Sequence, residues 1–128
     1  MNPQVKNWLD SAVYDLETAE HMFRTGTYIY TVFMCHLALE KALKAKFEEV
    51  TGKTAPKTHD LEYLLKLAGL SPDEAAERFM TEISNLSVVT RYPQDFGKMF
   101  AAFSRERAEA LLSRTRETFQ WIRKSIAP

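Results

Sequence analysis

The sequence predicts an all-α fold, an up-and-down helical bundle of four long helices plus one short helix, in a single domain over residues 1–128. Three observations predict it. Apolar residues recur at spacings of three and four along most of the chain, as they do on helices with one buried face. No stretch alternates apolar and polar residues in the manner of a half-buried strand. Glycine, proline and side-chain caps fall where the helical patterns stop and start.

The first helix runs from Pro3, a good first-turn residue, to about Arg24, with Val5, Trp8, Leu9, Ala12, Leu16, Ala19 and Phe23 on one face. Gly26 ends it. From about Tyr28 to Val50 the pattern "YIYTVFMCHLALEKALKA" is apolar almost all round in its first half, which predicts the central, most buried helix. A polar loop, "TGKTAPK" at 51–57, precedes a short helix capped by Thr58 or Asp60 and closed by Gly69. Ser71-Pro72-Asp73-Glu74 reads as a capping box for a helix to about Thr90, with Ala75, Phe79, Ile83 and Leu86 inward. Residues 91–103 read as the longest irregular stretch. The last helix begins near Ser104, with Leu111, Leu112, Phe119, Ile122 and Ile126 on one stripe.

A chain of 128 residues can bury roughly two-thirds of the surface it exposes when unfolded, so neither disulfides nor a metal is required for folding. The single cysteine, Cys35, lies in an apolar run and reads as a buried structural thiol in a reducing cytoplasm. The early charges Lys6, Asp10, Asp15, Glu17 and Glu20 leave no signal-peptide core, and no apolar window is long enough for a membrane span. A soluble, cytoplasmic protein with no membrane partner is expected. Seventeen basic and seventeen acidic side chains cancel, so any nucleic-acid binding must come from a local patch.

The four glycines are isolated, which excludes Walker and dinucleotide phosphate loops. Adjacent Cys35 and His36 do not have structural-zinc spacing. His36 and Glu40 are one helical turn apart and could hold a metal with His59 and Asp60, but a hydrogen-bonded pair at this spacing is far commoner, so neither metal nor cofactor is expected. No nucleophile-elbow pattern supports a serine or cysteine mechanism. The last helix carries Arg105, Arg116 and Arg123 on one flank and Arg107 and Arg114 on the other. That flank is either a phosphate-binding surface or a solvated edge whose stems pack on neighbours. "TRYPQDF", 90–96, concentrates an arginine, a tyrosine, a proline and a carboxylate where Pro93 ends a helix. It is either a binding loop or a plug for the helix end.

Three motifs in register, "HLALEKALKA", "THDLEYLL" and "RYPQDF", resemble those of prokaryotic HEPN domains, of the type associated with small nucleotidyltransferases. The resemblance covers nearly the whole chain. It implies a bundle of about five helices, a two-fold homodimer, and motif residues gathered near the dimer cleft. It also implies a role in nucleotide or RNA biology, either as the partner of a nucleotidyltransferase in a toxin-antitoxin pair or as a metal-independent ribonuclease. The ribonuclease members carry Arg followed by His after four to six residues. Here Arg91 matches the arginine, but the histidine positions hold Phe96, Gly97 and Lys98. Lacking an imidazole to take the 2′-hydroxyl proton, the chain is expected to show no metal-independent ribonuclease activity above background. A non-catalytic binding or partner module is therefore the expectation, with a divergent nuclease built on Arg91 as the alternative. The expected ligand site is Arg91, Tyr92 and Asp95, with His36, Glu40 and Lys41 as neighbours in the cleft. Arg91 supplies charge, Tyr92 and Pro93 fix its backbone, and Asp95 orients it.

Overall fold

A computed structural model describes all of Met1–Pro128. The fold is all-helical, as the periodicity predicts, but it has six helices. Helix α1 (Pro3–Arg24) opens on Asn2, whose side chain accepts from the Gln4 N–H. It closes where the Gly26 and Thr27 N–H groups reach back to the Phe23 and Met22 carbonyls, with Gly26 at φ +80°. A side chain at that left-handed position would strain the turn, which is why glycine serves there. Helix α2 (Tyr28–Thr51) then runs back along α1 in the most extensive helix pair of the molecule.

The core is built around α2, which packs on α1, α6 (Arg105–Lys124), α4 (Glu74–Arg91) and the short α3 (Leu61–Leu67). Val32, Cys35, Ala38, Leu39, Ala42 and Leu43 are completely buried. The apolar circumference of α2 is thus covered within one chain, with Tyr30 the main exception. An uncovered α2 is therefore not a reason for dimerisation. Burial pushes the Cys35 thiol up to about 12, which makes it inert at neutral pH.

Two helix starts differ in detail from the sequence reading. Asp60 alone caps α3, accepting from the Tyr63 N–H. Asp73, not Ser71, caps α4 by accepting from the Ala76 N–H, so the expected capping box is absent. The shift of the helix start puts Ala75 on the exposed face and Ala76 against the core. The larger correction concerns 91–103. Asp95 starts a two-turn helix, α5 (Phe96–Ala102), by accepting from the Lys98 N–H. Helix α6 (Arg105–Lys124) follows, capped by Ser104. No helix is long and apolar enough to cross a membrane.

Candidate functional site

Arg91 is the last residue of α4, because the Tyr92 N–H makes the final helical bond, to the Val88 carbonyl, and Pro93 cannot continue the ladder. The half-buried Arg91 guanidinium lies over the Phe33 ring of α2, 4.8 Å from its centroid. Phe33 was missed by the sequence reading; a helical aromatic near the top of a buried helix gives no signal of which arginine will cover it. Neither Glu40 nor Asp95 is within ion-pair distance of Arg91. Asp95 is spent on the α5 cap and does not orient the guanidinium. Tyr92 is 75 % exposed and projects from the helix end.

Beyond Phe33, α2 presents a polar seam. His36, Glu40, Lys44 and Glu48 recur every four residues on one face and are all buried. The seam is tolerated because almost every polar atom finds a partner. Glu40 Oε1 accepts from His59 Nδ1 at 2.8 Å, and Glu40 Oε2 accepts from Lys44 Nζ at 3.0 Å. Lys44 also lies 5.5 Å from the centroid of Trp8, whose indole N–H donates to Glu48 Oε2 at 2.7 Å. Glu48 takes the Ala55 N–H as well.

His36 is fully buried and donates Nε2–H to the His59 carbonyl at 2.9 Å. Its Nδ1 has no hydrogen-bond partner; Glu40 Oε1 lies 3.9 Å away. Burial pushes the His36 pKa down to about 4, helped by the positive charge of Arg91 and by His59 and opposed by Glu40 and the bond to the His59 carbonyl. His36 is thus neutral at physiological pH, and its approach to Glu40 is not an ion pair.

Of the residues expected beside Arg91, His36 feels its charge and is joined to Glu40 through His59. Lys41 points elsewhere. One position round the helix from Glu40, it faces α1, donating to Ser11 Oγ at 2.8 Å and lying 2.7 Å from the Asp15 carboxylate. A helix turns about 100° per residue, so Glu40 and Lys41 meet different neighbours. In the sequence His59 stands out as a possible metal ligand and as part of "THDLEYLL"; its partnership with Glu40 depends on how the 52–60 loop crosses α2.

The arginines of α6 lie against neighbouring elements. Arg105 covers Phe23 of α1, Arg114 covers Phe79 of α4 and Arg107 covers Phe103, at 4.9, 5.2 and 4.9 Å to the ring centroids. Arg116 pairs with Glu20 of α1 at 2.9 Å. These stems pack as a solvated edge does.

Comparison with known proteins places this geometry in a family. The HEPN domain model matches residues 5–125. The fold is shared with the crystal structure of TT1696 from Thermus thermophilus, at 23 % identity and a TM-score of 0.80, covering 98 % of this chain and 100 % of that one. It is also shared with ST0689, described as an archaeal HEPN homologue, at 20 % identity and a TM-score of 0.79, with the same coverage of both chains. No curated protein matches the sequence. With nearly its whole length matched by the family model, and with the helical arrangement of these relatives, the chain belongs to the HEPN domain family.

Proposed function

We propose that this HEPN domain is a non-catalytic, homodimeric binding module in which Arg91 holds the phosphate of a nucleotide or RNA, acting with a small nucleotidyltransferase as protein partner. The observation that carries the reading is an arginine at a helix end, half-buried and stacked on Phe33, with no carboxylate beside it. An unpaired guanidinium in such a place keeps its donor fork free for an anion, and a lysine cannot reproduce that fork. The nucleotidyltransferase partner rests on the family resemblance of the three motifs.

The dimer reading is supported by apolar surface left open at one end of the bundle. Val88, Val89 and Tyr92 at the end of α4 and Phe96 and Phe100 of α5 are all exposed, and Tyr30 of α2 adjoins them across a groove lined by Tyr28, Phe96, Phe100 and Phe103. Contiguous aromatic surface of this kind is typical of interfaces. It lies beside Arg91, so a second copy seated there would wall the site.

The test is calorimetric titration with ATP and with a short single-stranded RNA, alongside thermal melts. Arg91→Ala and Arg91→Lys should both weaken binding, the alanine variant by roughly ten- to a hundredfold, since a hydrogen bond to a charged group is worth on the order of 1.5–3 kcal/mol. Both variants should melt close to wild type. A fall in melting temperature with affinity untouched would make Arg91 a structural residue and remove it from the site.

A further inference from the structure

Helices α4 and α6 both pack on α2 yet barely touch each other, and a groove runs between them. Ala75 of α4 and Ala110 of α6 line it and stay exposed, because a methyl side chain fills too little of the gap. Phe79 and Leu111, both buried, complete an apolar lining. On α6 the groove reaches from Arg107 to Trp121, about 21 Å at about 1.5 Å per residue, which is the length of roughly four helical turns. A trough of this shape suits a helix laid along it better than a compact small molecule.

Three guanidiniums rim the end nearer Arg107, those of Arg78, Arg107 and Arg114, against a single carboxylate, Glu82. Arg107 lies over Phe103 and donates to the Ala102 carbonyl at 3.3 Å, but it has no carboxylate within ion-pair distance. Arg114 spans the groove and donates to the Ala75 carbonyl at 3.3 Å. Its neighbour Glu117 lies 3.8 Å away, and Arg78 pairs with Glu74 at 3.2 Å, in both cases between exposed side chains. Exposed pairs of this kind are weak and exchange readily for a better partner. A guanidinium has five N–H donors, so each of the three keeps donors free.

Lining and charge together choose the occupant. A nucleic-acid strand needs rings on which to stack its bases, and Phe79 is buried under Arg114. A helix with carboxylates beside an apolar stripe meets both features, with apolar side chains over Ala75 and Ala110 and carboxylates at the rim. Arg107 and Arg114 are two turns apart on one face of α6, so the matching carboxylates stand about seven positions apart. We infer that the α4–α6 groove docks an acidic amphipathic helix of a protein partner, its carboxylates on Arg107 and Arg114 and its far end against Trp121. These residues are separate from Arg91 and Phe33, so the inference does not rest on the phosphate reading.

The experiment selects peptides of about 15 residues, roughly four helical turns, from a random displayed library against the full chain, and measures the enriched ones by fluorescence anisotropy. They should be amphipathic helices with Asp or Glu two turns apart. Arg107→Glu should weaken their binding about tenfold or more, as the loss of a hydrogen bond to a charged group does. Ala110→Gln, which fills the floor from an exposed position, should weaken it as well. Both variants should melt like wild type, and Arg91→Ala should leave peptide affinity unchanged. Enrichment of no peptide, or of peptides whose affinity survives both groove substitutions, overturns the inference. Single-stranded RNA that binds the wild type and is lost in Arg107→Glu also overturns it, by giving the rim to phosphate. A halved mass of Ala110→Gln in light scattering does so too, by seating a second copy in the groove.

Discussion

Two connecting segments flank the candidate site, and they are held in opposite ways. The 52–60 loop has almost no apolar content to bury, yet its course is fixed by buried polar groups of α2: Glu48 takes the Ala55 N–H, His36 the His59 carbonyl, and Glu40 the His59 ring. The 92–102 segment is rich in aromatics and forms a regular helix, yet Met99 is the only buried residue of α5. Phe96 and Phe100 stack on each other at 6.0 Å between centroids and stay open to solvent. Order in a loop follows from who satisfies its backbone, while an amphipathic helix can be well formed and still leave its apolar face waiting for a partner.

The strongest way to break this contrast is at the aromatic end. Phe96→Glu combined with Phe100→Glu should convert a dimer to a folded monomer, read as a halved mass by light scattering with unchanged circular dichroism. Four rings in a two-fold dimer, each contributing about 1.5–3 kcal/mol when buried, place on the order of 6–12 kcal/mol at stake. A wild-type monomer, or a variant that stays dimeric, would show that this face does not pair.

At the polar end the expected effect falls on folding. Glu40→Ala would release the His59 ring and leave Lys44 buried without its carboxylate. Breaking a buried pair from one side costs about 3–5 kcal/mol, so denaturant unfolding should shift strongly. A change under about 1 kcal/mol, the range of exposed ion pairs, would mean that the seam is wetter than its burial implies.

The seam also predicts a pH dependence. The folded pKa of His36 lies at about 4, below its ordinary 6.5, so between those values the unfolded chain takes up the proton and the folded one does not. The contribution is fully present above about pH 6.5 and declines as the pH falls toward 4, by about 3 kcal/mol in total. His36→Gln, which can still donate to the His59 carbonyl, should flatten that part of the stability curve. An equally steep curve in the variant would assign the acid sensitivity elsewhere.

The smallest effect concerns α5 itself. Asp95→Ala removes the cap on the Lys98 N–H and should cost about 1 kcal/mol of stability, measured by thermal unfolding. Phosphate affinity should hold, because Asp95 does not touch Arg91. A loss of affinity instead would restore Asp95 as an orienting residue.

The helices were legible because their signals are local. The spacing of Val5, Leu9, Ala12 and Ala19, the left-handed Gly26, the caps Asp60 and Ser104 and the apolar body of α2 each act within a few residues of sequence. Helix α5 was not legible, because a two-turn segment contributes too few turns to establish a period and its aromatics do not point inward. Arg91 could be singled out by its motif and by the proline after Tyr92. Its contacts could not: the stacking on Phe33, the bond from His59 to Glu40 and the turn of Lys41 toward α1 depend on how α2 is rotated beneath α4 and on where the 52–60 loop crosses it. By itself the sequence determined that this protein is a helical bundle with a charged turn after its fourth helix, since hydrophobic periodicity and capping are encoded residue by residue. Only the tertiary structure decided that the arginine goes unpaired while the buried carboxylate holds a histidine from another loop. Contacts between residues distant in sequence depend on helix rotation and loop path, and the energies that set these are summed over the whole core.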